Sequence, residues 1–394
     1  MSRKKRTSIE LSLVLVVCCV LCAIYAASAI SPAYSPAAAG TPQPAEPTPS
    51  AAAEATPHLH DYDPETGLCR ECGFVCEHAA GFDAEHRCLD CRWRCTGESH
   101  DENAVCPVCG EELNHHFGMD GICDVCGLEA PLYTEELPDR YFESAEHEGR
   151  HFYDTFTAPD GQEHTIAVWL PWNYSEEVKY NVVVLIHGNM GECGDWTDVD
   201  EMTHRGEIQF RRVYDRMVEE RLCDPFMIVG ISFAGFEHPP TGEAILREAI
   251  LPHVAQSYST YMRSGSVEDM RAAREHIAIG GLSRGSMFTY SAVMPRCLDL
   301  AANFCCFSNG DNPLVYKDLN SEENIGYGIK SYVATLGLMD EEYAIISQRT
   351  SYRYICQNVE RVTDGENARL FEIAAGHNFI TWTASLYDAL LLMF

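Results

Sequence analysis

Residues 182–188, VVVLIHG, run apolar without alternation until a histidine and a glycine end the run. A strand with no polar face must be covered on both sides, and a parallel sheet flanked by helices supplies that cover. The stretches HTIAVWLP (164–171), MIVGISF (227–233), HIAIGG (276–281), FCCFS (304–308), YVATLG (332–337) and ARLFEIA (368–374) continue the series. Between them lie segments of helical period, such as 242–258, where Leu246, Ile250 and Val254 share a face at four-residue spacing. Strands alternating with helices predict an α/β fold with a mostly parallel sheet, whose ligands collect at the carboxyl ends of the strands.

The polar motifs fall at those ends. In GGLSRGS (280–286), Ser283 stands between Gly281 and Gly285, directly after an apolar run and before the helix-forming SRGSMFTYSAVM. A tight strand-to-helix turn would project the hydroxyl outward, and side chains at 281 or 285 would strike the neighbouring strand and helix. A serine hydroxyl is a poor nucleophile at neutral pH, so it needs a base within hydrogen-bonding reach and a group that orients the base. His377, after ARLFEIA, is the candidate base, and Asp340, after YVATLG, is the candidate acid. Asp311 and Asp364 also follow strand candidates and compete for the acid's role. The order serine, acid, histidine is the one this architecture demands. The amide of Arg284, at the helix start, is one candidate donor to a developing oxyanion. The amide of Asn189, in the HGxxG loop HGNMG (187–191), is the other, with His187 read as structural. None of this chemistry needs a cofactor.

Several motifs together carry a family resemblance: VWLPWNY (168–174), YNVVVLIHGNMGECGDW (180–196), AILPHVAQSY (249–258), HIAIGGLSRGSMFTY (276–290), LGLMDEEY (336–343) and AAGHNFITW (374–382). Through them residues 150–394 resemble the esterase family of α/β-hydrolases that holds feruloyl and acetyl-xylan esterases, S-formylglutathione hydrolases and mycolyltransferases. The resemblance implies Ser283 as nucleophile, Asp340 as acid, His377 as base, and oxyanion amides from Arg284 and the loop after His187. It also implies acetyl or feruloyl esters on polysaccharide as substrates. Two other readings stand beside it: acyl transfer to a sugar or lipid hydroxyl, or an inert hydrolase unit on a wall-tethering protein. Arg284 and Ser286 depart from the family pattern, which often has Met and a second Gly there. A charge at 284 bears on substrate preference. Trp196 and Trp382 flank the loops of the oxyanion donor and the base, where they either line a sugar or aryl site or pack in the core.

Ten of the 19 cysteines lie between Cys69 and Cys126. They form the pairs Cys69–Cys72, Cys88–Cys91, Cys106–Cys109 and Cys123–Cys126, each of CxxC spacing, with Cys76 and Cys95 each following a pair after three intervening residues. His60, His78, His100 and His116 each stand before a pair, so a unit of histidine, spacer and CxxC recurs four times. Two thiolates at that spacing both face one tetrahedral ion, and a glycine after the second lets the turn bend. Gly73, Gly110 and Gly127 hold that position; Arg92 is the exception. CPVCG (106–110) resembles the knuckle of zinc ribbons and rubredoxins, and the region resembles a tandem zinc-ribbon module. Structural zinc would draw its ligands from Cys69, Cys72, Cys76, His78, Cys88, Cys91, Cys95, His100, Cys106, Cys109, Cys123 and Cys126. A disulfide framework is the competing reading for an exported chain, and a redox role is a third. Cys193, Cys223, Cys297 and Cys356 are further disulfide candidates, whereas Cys305 and Cys306 sit in an apolar run as packed side chains.

At the N-terminus, Arg3, Lys4, Lys5 and Arg6 precede an uncharged run from Leu11 to Ile30, the pattern of an export signal or signal anchor over 1–30. Residues 31–57 repeat Pro and Ala as an extended spacer. The expected organisation is therefore signal (1–30), linker (31–57), Cys-rich repeats (58–130), connector (131–149) and hydrolase (150–394), placed outside the cytoplasm, secreted or membrane-anchored. Lys and Arg total 28 against 59 Asp and Glu, a net charge of −31. That balance argues against nucleic acid, anionic lipid or acidic polysaccharide as partners and leaves a neutral polymer open. The sequence does not indicate an oligomeric state.

Overall fold

The structure is a computed structural model that describes residues 61–189, 191–198, 210–237, 241–311 and 313–394. The export segment, the spacer and His60 lie outside the described residues. His60–Phe394 forms one compact unit. Among the described residues no helix is long and apolar enough to cross a membrane.

Eight strands make one sheet: β1 (Arg150–Thr157), β2 (Glu163–Leu170), β3 (Asn181–Ile186), β4 (Phe226–Ile231), β5 (Ile277–Leu282), β6 (Asn303–Phe307), β7 (Ser331–Gly337) and β8 (Ala368–Ile373). Their order is β1-β2-β4-β3-β5-β6-β7-β8. Strand β2 runs antiparallel to both β1 and β4, and every later pairing is parallel. The sheet is thus mostly parallel, as the continuous apolar runs require. Seven of the eight strands coincide with the apolar stretches read from sequence; β1 does not. It lies at the antiparallel edge with no fully buried side chain, so its sequence, RHFYDTFT, carries no apolar run.

Helices cover both faces. Val182, Val184 and Ile186 of β3 face one layer, packed with Leu246, Ile250 and Val254 of α2 (241–257). That layer also takes Met270 of α3 (Val267–Ala272), Tyr290 and Val293 of α4 (284–296), Val315 of α5 (Val315–Leu319) and Tyr352 of α6 (Glu342–Asn358). Val183 and Leu185 face the other, packed with α1 (Phe210–Glu219) and α7 (Phe379–Met393). A strand whose alternate residues enter two different cores is apolar at every position.

Helix α7, FITWTASLYDALLLM, is buried from Thr381 to Met393. An ordinary surface helix keeps one polar face. Here the sheet covers one side of α7, and residues from the Cys-rich region and connector cover the other. Phe117, Met119, Cys123, Leu137 and Tyr141 belong to the same core as Trp169, Leu386 and Leu390. Tyr141 is fully buried and its hydroxyl lies 2.9 Å from that of Tyr387. The amide of Tyr133 donates to the Asp388 carboxylate at 3.0 Å, and burial pushes that carboxyl well above its usual range. Tyr133, Leu137 and Tyr141 of the connector therefore wall the core between the sheet and α7.

Truncating Tyr141 removes a large side chain and leaves the Tyr387 hydroxyl without that partner. Tyr141→Ala is expected to cost about 3–5 kcal/mol of stability, measured by denaturant unfolding of the full chain. A loss below about 1 kcal/mol would show that the connector is merely laid on the surface.

Candidate active site

Ser283 directly follows β5, with its backbone at φ 51° and ψ −112°. That is the left-handed side of backbone space for a residue with a Cβ, and it persists only where the surroundings hold it. Its amide donates to the Phe307 carbonyl at 2.8 Å, and α4 begins at the next residue. The flanking glycines are required by contact. A Cβ on Gly281 would lie 2.9 Å from the Gly285 carbonyl carbon, and one on Gly285 would lie 2.8 Å from the His187 oxygen. Ser286, where the family pattern often has glycine, is buried and donates to the Asn309 carbonyl at 2.6 Å. The departure at 286 is thus absorbed as a packed hydrogen bond beneath the turn.

The structure brings Ser283, His377 and Asp340 together from three loops. His377 Nε2 lies 2.9 Å from Ser283 Oγ, and His377 Nδ1 lies 2.8 Å from Asp340 Oδ2. The Asp340 carboxylate is 1% exposed, and its other oxygen accepts the Glu341 amide at 2.7 Å. A carboxylate accepting at Oδ2 assigns the proton to Nδ1, which leaves the Nε2 lone pair directed at the serine hydroxyl. Asp364, a competing acid, instead accepts the Tyr352 hydroxyl at 2.5 Å. Trp382 meets the His377 ring edge-on at 5.2 Å, whereas Trp196 is fully buried against Phe210 and Phe307. Of the two tryptophans, only Trp382 stands beside the site.

The loop after β3 packs on the same turn. A Cβ on Gly188 would stand 3.4 Å from the Ser283 Cβ. His187 is buried, and its Nδ1–H donates to the Gly188 carbonyl at 2.7 Å. Burial lowers its pKa and keeps the ring neutral, a structural role. Asn189 is exposed, and its side-chain oxygen accepts from Arg284 at 3.3 Å. The same guanidinium reaches Glu237 at 2.5 Å and covers the Phe233 ring at 4.9 Å. Arg284 therefore ties the loop after β3 to the loop after β4, with a carboxylate beside its charge. Sequence reasoning missed Glu237, because no motif marks a partner 47 residues away.

The Cys-rich region repeats one backbone turn four times. The amides of Gly73, Arg92, Gly110 and Gly127 donate to the carbonyls of Cys69, Cys88, Cys106 and Cys123 at 2.8–2.9 Å, each at positive φ. Arg92 thus accepts the strain that glycine avoids. Cys76, His78, Cys88 and Cys91 form one convergent set; His100, His115, Cys123 and Cys126 form another; Cys95, Cys106 and Cys109 form a third. The grouping departs from the sequence reading in two respects. His100 skips the pair nearest to it and joins the next, and the histidine beside it is His115, which the repeat did not single out. His116 instead faces Asp224 at 3.3 Å. Cys69 and Cys72 join no such set among the described residues, and His60, which precedes them, lies outside those residues. Cys193, Cys223, Cys297 and Cys356, the further disulfide candidates, form no disulfide among the described residues. Cys305 and Cys306 are fully buried, in the two core layers.

These sets could hold a metal ion. A tetrahedral ion with sulfur at about 2.3 Å and nitrogen at about 2.0 Å requires S···S edges near 3.8 Å and S···N edges near 3.6 Å. Cys76 and Cys88 are 3.8 Å apart, Cys91 and His78 3.6 Å, Cys126 and His115 3.6 Å, and Cys123 and His100 3.8 Å. A disulfide needs a separation of about 2.0 Å.

No family model matches the chain. Endo-1,4-beta-xylanase Y of Acetivibrio thermocellus is 27% identical over 220 residues, 56% of this chain but 19% of that protein. The chain therefore spans under a fifth of that relative's length. The feruloyl esterase module of Clostridium thermocellum, solved with sinapinate, aligns over 66% of this chain and 93% of its own at 22% identity, TM-score 0.56. A ferulic acid esterase of Anaeromyces mucronatus, solved with ferulic acid, aligns over 67% and 97% at 17% identity, TM-score 0.51. With the strand order, these likenesses establish the α/β-hydrolase fold.

Because the His187 carbonyl occupies the space a side chain at 285 would need, Gly285→Ala is expected to destabilise the fold by about 2–4 kcal/mol. Thermal unfolding checks this; an unchanged midpoint would mean that the turn is not held against β3.

Proposed function

We propose that this chain is an exported serine esterase that removes acetyl or feruloyl groups from a neutral polysaccharide, with zinc in its Cys-rich sets. The observation that carries the reading is the hydrogen-bonded series from Ser283 through His377 to Asp340, mounted on a strained turn at the carboxyl ends of β5, β8 and β7. His377 removes the hydroxyl proton as Ser283 Oγ attacks the ester carbonyl. Asp340 holds the imidazolium that forms, and the amides of Arg284 and Asn189 face the oxyanion. His377 then returns the proton to the departing alcohol, water attacks the acyl-enzyme, and Ser283 is restored.

The substrate class rests on likeness and charge. The fold relatives are feruloyl esterases, the partial relative is a xylanase, and a net charge of −31 favours an uncharged polymer over an acidic one. The basic and apolar N-terminal segment with its Pro/Ala spacer supports export and a reach away from a surface. The edge lengths among the sulfur and nitrogen atoms, which suit a tetrahedral ion, support zinc.

Ser283→Ala is expected to slow hydrolysis of para-nitrophenyl acetate by about 10⁴-fold or more, with the fold intact by circular dichroism. Asp340→Asn, which spoils the histidine tautomer, is expected to lower kcat by roughly 10²–10⁴-fold with little change in KM. Release of acetate or ferulate from substituted xylo-oligosaccharides identifies the acyl group. Unchanged turnover by Ser283→Ala would remove the esterase reading, and dominant transfer to added sugar alcohols would replace it with acyl transfer.

A further inference from the structure

The convergent sets of the Cys-rich region do not stand in the same relation to the hydrolase. Cys76, Cys88 and Cys91 pack with Tyr62, Phe82 and Trp93 in a satellite cluster that shares no side chain with either layer of the sheet. The His78 ring stacks on Trp93 at 5.0 Å, so this set closes on itself.

The set of His100, His115, Cys123 and Cys126 is built into the hydrolase. Cys123 is itself a member of the core that holds Leu222, Cys223, Leu392 and Phe394. Between His115 and Cys123 the chain carries Phe117 and Met119, 4% and 6% exposed in that core. The backbone is fastened too: the His115 amide donates to the Arg221 carbonyl at 3.0 Å, just past α1. Arg221 reaches back to Glu112 at 3.0 Å and to the Asn103 carbonyl at 3.2 Å, and His116 faces Asp224. Three of the four donors, His100, His115 and Cys123, are under 9% exposed.

Segment 115–126 has only short turns and isolated bridges of its own, such as Phe117 with Cys123, so its shape leans on this set and on its contacts with the hydrolase core. Four donors converging without an ion would leave buried polar atoms facing one another. Losing the ion would therefore release Phe117 and Met119 from the end of α7.

We propose that the divalent, thiophilic cation held by His100, His115, Cys123 and Cys126 completes the hydrolase core, whereas the one held by Cys76, His78, Cys88 and Cys91 stabilises only its own turn. The proposal rests on the zinc reading above, and the test separates the two. Zinc content and calorimetric unfolding are measured on the full chain, on Cys91→Ser, on Cys126→Ser and on Cys126→His, which keeps a ligand. Each serine variant should lose one zinc equivalent relative to the unsubstituted chain. Cys91→Ser should leave the main transition within about 2 °C, whereas Cys126→Ser should lower it by about 10 °C or more, or fail to accumulate folded. Cys126→His should recover the zinc and most of the midpoint, and chelation of the unsubstituted chain should reproduce the fall. Equal shifts for the two serine variants, or a main transition indifferent to chelation, would overturn the coupling. A chain that binds no zinc would instead remove the metal reading itself, and with it this proposal.

Discussion

The end of β3 presses its carbonyl oxygens against the turn at Ser283, and the site is organised around that contact. Ile186 pairs with Gly281 across the β3–β5 ladder, and the His187 oxygen lies where a side chain on Gly285 would have to go. Only a bare backbone at both positions lets β5 turn into α4 so sharply that residue 283 is driven to positive φ. The same contact brings the HGxxG loop against the serine, so the candidate nucleophile and a candidate oxyanion amide are placed by one packing event. His377 and Asp340 then arrive from β8 and β7, whose ends also touch: a Cβ on Gly337 would lie 2.7 Å from the Gly376 oxygen.

Arg284 shows how a departure from a family pattern is accommodated. A cation beside a site that must stabilise negative charge alters its field unless it is paired. Glu237 supplies the carboxylate, Phe233 the flat surface and Asn189 a further acceptor, so the side chain spans two loops. The charge noted in the sequence becomes a cross-link at the site's edge.

Much of the architecture was legible because burial on both faces removes polar residues from a strand. The runs at 182–188, 227–233 and 332–337 could be little else. Strand β1 was illegible for the converse reason: at an exposed antiparallel edge nothing forces its side chains to be apolar. Helix α7 is buried all round although it carries Thr381, Thr383, Ser385 and Asp388, a burial that periodicity alone does not reveal. A helix with no side facing solvent needs a second cover, and the chain supplies it from residues 117–141. The CxxC turns were legible to the residue, with Arg92 adopting the glycine conformation. Their partners were not, since a tetrahedral set is closed by whichever donors the chain folds back.

The sequence alone determined seven of the eight strands and their alternation with helices, the glycine-flanked serine and the reading order of Ser283, Asp340 and His377, because steric needs and two-sided burial act on neighbouring residues. Only the tertiary structure decided that Asp340 rather than Asp364 meets His377, that His115 and His100 share a set with Cys123 and Cys126, and that Glu237 answers Arg284. Those choices depend on distances between residues 11 to 47 apart in the chain. Local propensity does not encode such distances; they are set by the sheet and helices that carry each segment to its place.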